Sequence, residues 1–162
     1  MSYSIIVNIA EQTLSVFTLE NHLVKKYRIA TAKNGPGEKF GSECTPRGKH
    51  IIRAKIGDKE PLNTVFIGRR ATGEIYTPDL KAEHPNRDWI LTRILWLSGL
   101  EKGKNRLGAV DTMRRYVYIH GCPEEDKMGI PSSHGCVKMR NSDLIELFDL
   151  IPVKTPVEII EN

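Results

Sequence analysis

Apolar and polar side chains alternate from the start of the chain. Ile5, Val7 and Ile9 share one face of an extended segment, and Leu14, Val16 and Leu19 repeat the period, as half-buried strands do. Glu11-Gln12 is the expected turn between these two runs. Glu20-Asn21 is the next, leading into a third strand over Leu23 to Ala30 with Val24, Tyr27 and Ile29 as its apolar positions. The breakers Asn34-Gly35-Pro36-Gly37 and Thr45-Pro46-Arg47-Gly48 predict loops, after which His50 to Ile56 is again strand-like. Residues 57 to 88, interrupted by Pro61, Gly68, Gly73, Pro78 and Pro85, predict irregular loops with short extended pieces at Val65-Ile67 and Glu74-Tyr76. Ile90 to Leu97 and Arg115 to Ile119 are β-prone, and a charged loop from Gly99 to Asn105 lies between them.

Helical spacing is convincing only once. Leu144, Leu147, Phe148 and Ile151 recur at that period until Pro152 stops it, and Asn141-Ser142-Asp143 offers cap-forming oxygens ahead of them. Pro156 to Ile160 is a short final strand. Many strands with one late α-helix predict a mainly β fold, a sandwich or barrel-like domain with the helix appended. At 162 residues a single domain, 1–162, is expected, large enough to form one core without disulfides or metal.

Composition narrows the classes. With 40% hydrophobic and 27% charged residues the chain is an ordinary globular one. No run approaches the roughly eighteen apolar residues of a membrane span. The N-terminus, Met1-Ser2-Tyr3-Ser4-Ile5-Ile6-Val7-Asn8, has no basic n-region and no long apolar stretch, so no secretory signal is expected within it. The net charge of +4 comes from scattered basic residues. Their one local cluster, Arg69-Arg70, lacks the interleaved aromatics of single-strand binders, which argues against nucleic acid as a partner. Three cysteines, Cys44, Cys122 and Cys136, are an odd number, so at least one thiol is unpaired within the monomer.

Reactive chemistry concentrates late in the chain. His120-Gly121-Cys122 is followed, after Gly129-Ile130-Pro131, by Ser132-Ser133-His134-Gly135-Cys136-Val137-Lys138-Met139-Arg140-Asn141. A free thiol has a pKa of about 8.5, so a nucleophilic cysteine needs a base, and imidazole both accepts the proton and returns it to a leaving amine. His134, two residues before Cys136, shares its face in an extended segment without aligning with it. His120 ends a strand, and the intervening loop is long enough to bring its ring to the sulfur. Gly135 allows a substrate carbonyl close to the backbone, where amide N–H groups can form an oxyanion hole.

This pattern of His120-Gly121, a loop, Ser133-His134-Gly135-Cys136-Val137 and Met139-Arg140-Asn141 resembles the signature of the YkuD-type L,D-transpeptidase catalytic domain. The opening hairpin with Gln12, the Gly41-Ser42 turn, the Thr45-Pro46-Arg47-Gly48 loop and the Val157-Glu158-Ile159-Ile160 strand also look like that family. The resemblance implies a cysteine acyltransferase acting on peptidoglycan stem peptides without a cofactor or metal. Cys136 would attack the carbonyl of the third residue of a tetrapeptide stem, expelling D-alanine and leaving a thioester. An amine of another stem resolves it as a 3→3 crosslink, whereas water gives L,D-carboxypeptidation. In this picture His120 is the base, the Gly121 carbonyl orients it, and Ser133, His134, Gly135, Lys138 and Arg140 line the substrate site. Lys138 departs from the family's usual Arg or Asn and replaces a planar fork by a point charge. Carbapenem acylation of Cys136 and a periplasmic or cell-envelope location are further implications.

Bland readings stand beside these. Cys136 as a buried structural thiol, His134 as a structural imidazole, and Lys138 and Arg140 as solvated charges are the ordinary alternatives. Arg47 and His50 are expected to be structural. His120-x-Cys122 with His134-x-Cys136 makes a two-His, two-Cys set for zinc, although one intervening residue strains a shared tetrahedron. Cys122 is also a candidate to pair with Cys136 on oxidation, and a peptidoglycan-binding module without catalysis is a third class.

Overall fold

The computed structural model describes residues 2–162. Its opening is a meander of β1 (Tyr3–Asn8), β2 (Thr13–Thr18) and β3 (Leu23–Ala30), with β1 and β2 antiparallel through Ile5 opposite Val16 and Val7 opposite Leu14. Those four side chains are buried, as the alternation requires. Leu19 and Val24 are instead 66% and 43% exposed, because Leu19 falls in the turn and a bulge at Val16/Phe17 shifts the β3 register. Gln12 closes the first turn from inside, with its amide donating to the Ile9 carbonyl and Thr31 Oγ1 and its oxygen accepting from the Thr31 amide.

The remaining strands are β4 (Gly48–Ile56), β5 (Thr64–Ile67), β6 (Arg70–Ile75), β7 (Ile90–Gly99), β8 (Tyr118–Gly121), β9 (Val137–Met139) and β10 (Pro156–Ile160). They form one ten-stranded sheet in the order β4-β10-β1-β2-β3-β9-β8-β7-β5-β6. β4 also pairs with β7, through Ile51 opposite Ser98 to Ile56 opposite Ile94, so the sheet closes on itself and only the β5–β6 hairpin stays outside the ring. Closure removes the exposed edges that an open sheet would leave. The fold is therefore mainly β and barrel-like, as its strand pattern predicts.

Within 57–88 the extended pieces expected at Val65-Ile67 and Glu74-Tyr76 fall in β5 and at the end of β6, which pair as a hairpin. Irregular loop was expected where the structure has a second α-helix, α1 (Pro78–Glu83). Thr77 caps α1 by accepting from the Leu80 amide at 3.1 Å, and Pro78 occupies the first turn, where a missing N–H costs nothing. No residue of α1 is buried, so it carries no apolar stripe to announce it. The strand expected over Arg115 to Ile119 lies further on, in β8, because residues 112–116 turn. His50 is fully buried with both ring nitrogens engaged, by the Gly48 carbonyl and Thr112 Oγ1, and Arg47 pairs with Glu38 and Glu161.

The late helix, α2 (Asn141–Leu150), buries Leu144, Leu147 and Phe148 in the main core beside Leu95, Leu97, Ile119, Val137 and Met139. Its N-cap is Arg140, with no side-chain cap bond. Asn141 is withdrawn from capping and fully buried: its amide nitrogen lies 3.0 Å from Asn63 Oδ1, 2.9 Å from the Cys122 carbonyl and 3.1 Å from Glu124 Oε1, and its oxygen accepts from Thr92 Oγ1 at 2.8 Å. Thr92 has φ 77°, a costly conformation for a β-branched residue, at a bulge between Leu91 and Ile94. The bulge lies where β7 changes partner along one edge, from β5 at Ile90 and Leu91 to β4 from Ile94 onward. No helix among the described residues is long and apolar enough to cross a membrane.

Candidate active site

Parallel pairing of β8 with β9 sets Ile119 opposite Val137 and His120 opposite Lys138. Ile119, Val137 and Met139 point into the barrel core, so Tyr118, His120, Cys136 and Lys138 take the outer face by the period of two. There the Cys136 side chain packs with Phe66, Ile94, Trp96 and Tyr118, under the β5–β6 hairpin. The Tyr118 amide donates to Sγ at 3.3 Å, and the thiol is 3.6 Å from the Tyr116 carbonyl.

His120 is buried, and its Nδ1 lies 2.7 Å from the Gly121 carbonyl. A carbonyl only accepts, so Nδ1 carries the proton and Nε2 is the basic nitrogen. Burial holds the ring below its ordinary pKa of 6.5, partly offset by Asp88 and the Gly121 carbonyl. Burial also pushes the Cys136 thiol up to about 12, against the opposing pull of the Tyr118 amide and Arg115, with Asp88 adding to the rise. The residue as a whole is half-buried. The resting pair is consequently a neutral thiol and a neutral imidazole, not the ionised sulfur that base activation alone suggests.

Gly121 has a steric role as well. A Cβ there would lie 2.1 Å from Asn141 Oδ1 and 2.6 Å from the Leu91 carbonyl, so only glycine lets its carbonyl reach the imidazole. Ser133 is buried and fully occupied, its Oγ donating to the Cys136 carbonyl at 2.5 Å and accepting from the Gly135 amide at 3.2 Å. It ties the nucleophile turn rather than lining a substrate pocket. Gly135 has φ 129° and its carbonyl accepts from Thr45 Oγ1, so its amide and carbonyl are both engaged. Its N–H is therefore not a free oxyanion donor.

His134 is exposed, with Nδ1 3.7 Å from Asp88 Oδ1. Lys138 pairs with Asp126 at 2.9 Å, with only 12% of its side chain exposed. His134, Lys138, Asp126, Asp88, Trp89 and Arg87 line a cleft of about 190 Å³. Arg140 lies outside that lining, with its guanidinium donating to the Glu124 and Asp126 carbonyls at 3.0 and 3.4 Å. It braces the loop between β8 and β9. Three residues of the site carry no local sequence signal: Asp88, Arg69 and Arg115. Arg115 ties the turn that precedes β8 to the 37–44 loop through the Gly37, Glu38 and Cys44 carbonyls, at 3.3, 3.1 and 2.6 Å.

Cys122 sits in a separate buried cluster with Ala30 and Met128, donating to the Met139 carbonyl at 3.4 Å. Tyr118, the neighbour of Cys136, precedes Cys122 by four positions, roughly 13 Å along a strand. A disulfide needs Cα atoms within about 7 Å, so the native fold separates this pair. The two-His, two-Cys zinc set does not converge either, and no cluster of three or more His, Cys, Asp or Glu among the described residues is placed to hold a metal.

Residues 2–159 match the family model described as the L,D-transpeptidase catalytic domain, YkuD. The chain belongs to this family. It is 33% identical over 111 residues to the probable L,D-transpeptidase YbiS of Escherichia coli, an overlap of 67% of this chain and 35% of that protein. It is 27% identical over 158 residues to the putative L,D-transpeptidase YqjB of Bacillus subtilis, covering 98% of this chain and 71% of that one. Among solved structures, L,D-transpeptidase 3 from Mycobacterium tuberculosis has a similar fold with a TM-score of 0.59 at 13% identity, covering 99% of this chain and 61% of that one. The chain spans only 35% and 44% of the length of YbiS and of ErfK/SrfK from Escherichia coli.

Proposed function

We propose that this catalytic domain is a peptidoglycan L,D-transpeptidase using Cys136 as nucleophile and His120 as general base. One observation carries the reading: the Gly121 carbonyl fixes the His120 proton on Nδ1, which leaves a basic Nε2 on the face that bears the thiol. Because both groups rest neutral, proton transfer from Sγ to Nε2 accompanies attack on the third-residue carbonyl of a tetrapeptide stem. The imidazolium then returns that proton to the departing D-alanine amine, and an acceptor amine resolves the thioester. With the Gly135 amide committed to Ser133, the Cys136 N–H is the donor nearest the developing oxyanion. On this reading the protein would meet its substrate in the periplasm or cell envelope.

The test is release of D-alanine from a disaccharide-tetrapeptide, followed by chromatography of the products. Cys136→Ala should abolish release while its circular dichroism stays native, and wild type with an acceptor stem should yield the 3→3 dimer. Unchanged release by the variant would end the reading.

A further inference from the structure

The cations around Cys136 are not equivalent. At the His120 end of the face, Lys138 is paired with Asp126, Arg87 with Glu74, and His134 stands against Asp88. Arg115 is spent on loop carbonyls. Arg69, at the turn between β5 and β6, has no carboxylate within ion-pair distance among the described residues. Its guanidinium carbon lies 4.9 Å from the Trp96 ring centre and 4.7 Å from that of Tyr116, and Nη1 donates to Tyr118 Oη at 3.1 Å. The linear sequence, in which Arg69-Arg70 has no aromatic neighbours, gives no hint of this stack.

Two rings and a phenol thus hold the guanidinium of the half-buried Arg69, with N–H donors left over and no carboxylate partner among the described residues. That is the state of a planar anion receptor awaiting a carboxylate. Its position tells which carboxylate. Tyr118, its hydrogen-bond partner, also donates its amide to the nucleophilic sulfur. β8 runs from Tyr118 to His120, and His120 pairs across to Lys138. His120 must hand a proton to the leaving amine, so the departing residue lies toward the His120–Lys138 end. The acyl residue retained on sulfur then faces Tyr118 and Arg69.

We infer that Arg69 is a specificity-determining residue that binds the side-chain carboxylate of the acyl-donating third residue, a group that meso-diaminopimelate carries and lysine lacks. The inference rests on the transpeptidase reading above. Its test compares three tetrapeptide donors, alike except that the third residue is meso-diaminopimelate, its side-chain amide, or L-lysine. Wild type should favour the free carboxylate in kcat/KM by roughly 10- to 100-fold, the worth of a charge-assisted hydrogen-bond pair. Arg69→Gln should lose that preference by slowing the carboxylate donor alone, and Arg69→Lys should fall between.

Equal slowing of all three donors would mean that Arg69 only holds the hairpin in place and would overturn the inference, as would a wild type indifferent to the carboxylate. Calorimetric binding of the same peptides to Cys136→Ala, with and without Arg69→Gln, separates the two claims. No discrimination by Cys136→Ala with Arg69 in place, or discrimination that survives Arg69→Gln, with D-alanine release intact in wild type, sinks only the role of Arg69. Discrimination in binding without any release by wild type sustains Arg69 as the carboxylate receptor and sinks the transpeptidase reading.

Discussion

A neutral imidazole and a neutral thiol on one face of the β8–β9 pair set the pH behaviour expected of the proposed mechanism. Since burial depresses the His120 pKa, the ring keeps its basic form as pH falls through 6.5, and the acid limb of kcat/KM should lie below that value. With the thiol raised to about 12, ionisation of sulfur adds nothing at neutral pH. A limb at 7 or above would mean that the essential base is another group. His120→Ala should lower kcat/KM by about 10²–10⁴-fold. Lys138→Ala should cost at least tenfold less, because that ammonium is held by Asp126 and moves no proton; equal losses in steady-state kinetics would show the roles are misassigned. Cys136 and His120 stand out in the sequence as candidates because residue type and order suggest the proposed chemistry. Ser133 and Gly135 are visible only as neighbours of the nucleophile, and their work in fixing its turn depends on bonds to each other and to Thr45. Asp88, Arg115 and Arg69 arrive from distant segments and leave no local mark.

Among elements, the joint between β7, β8 and α2 is held by Asn141. Removing its amide leaves the Cys122 carbonyl without this donor and the Thr92 hydroxyl, which still accepts from the Asn63 amide, without an acceptor, and releases the strained Thr92 bulge. Asn141→Ala should therefore destabilise the fold by about 2–4 kcal/mol, since each orphaned buried polar group costs about 1–3 kcal/mol. Urea unfolding measures this, and a change below about 0.5 kcal/mol would show that the joint is held by apolar packing alone. The late helix was readable from its apolar spacing, but the use of Asn141 was not: its type suggests a cap, and only the tertiary fold brings Thr92, Asn63 and Cys122 around it. Period-two alternation likewise reveals β1 to β3 and β10. Short extended pieces mark β5 at Val65-Ile67 and the end of β6, which Gly73 interrupts, but nothing marks α1, which is set by Thr77 and Pro78 at its start and only partly buries Leu80.

At the scale of the whole molecule, strand content was legible and strand order was not. Closure through β4 and β7, and the parallel pairing of β8 with β9 across a long loop, are non-local contacts with no signature in any window of sequence. Yet that closure decides function. It turns Ile119, Val137 and Met139 inward and so presents His120 and Cys136 together on the outer wall, roofed by the β5–β6 hairpin. The most direct measurement is intact-protein mass spectrometry after exposure to a carbapenem, with peptide mapping of the product. One covalent adduct, located on Cys136 and absent from Cys136→Ala, is the expected result; an adduct on Cys44 or Cys122, or an unmodified chain, would contradict Cys136 as the nucleophile.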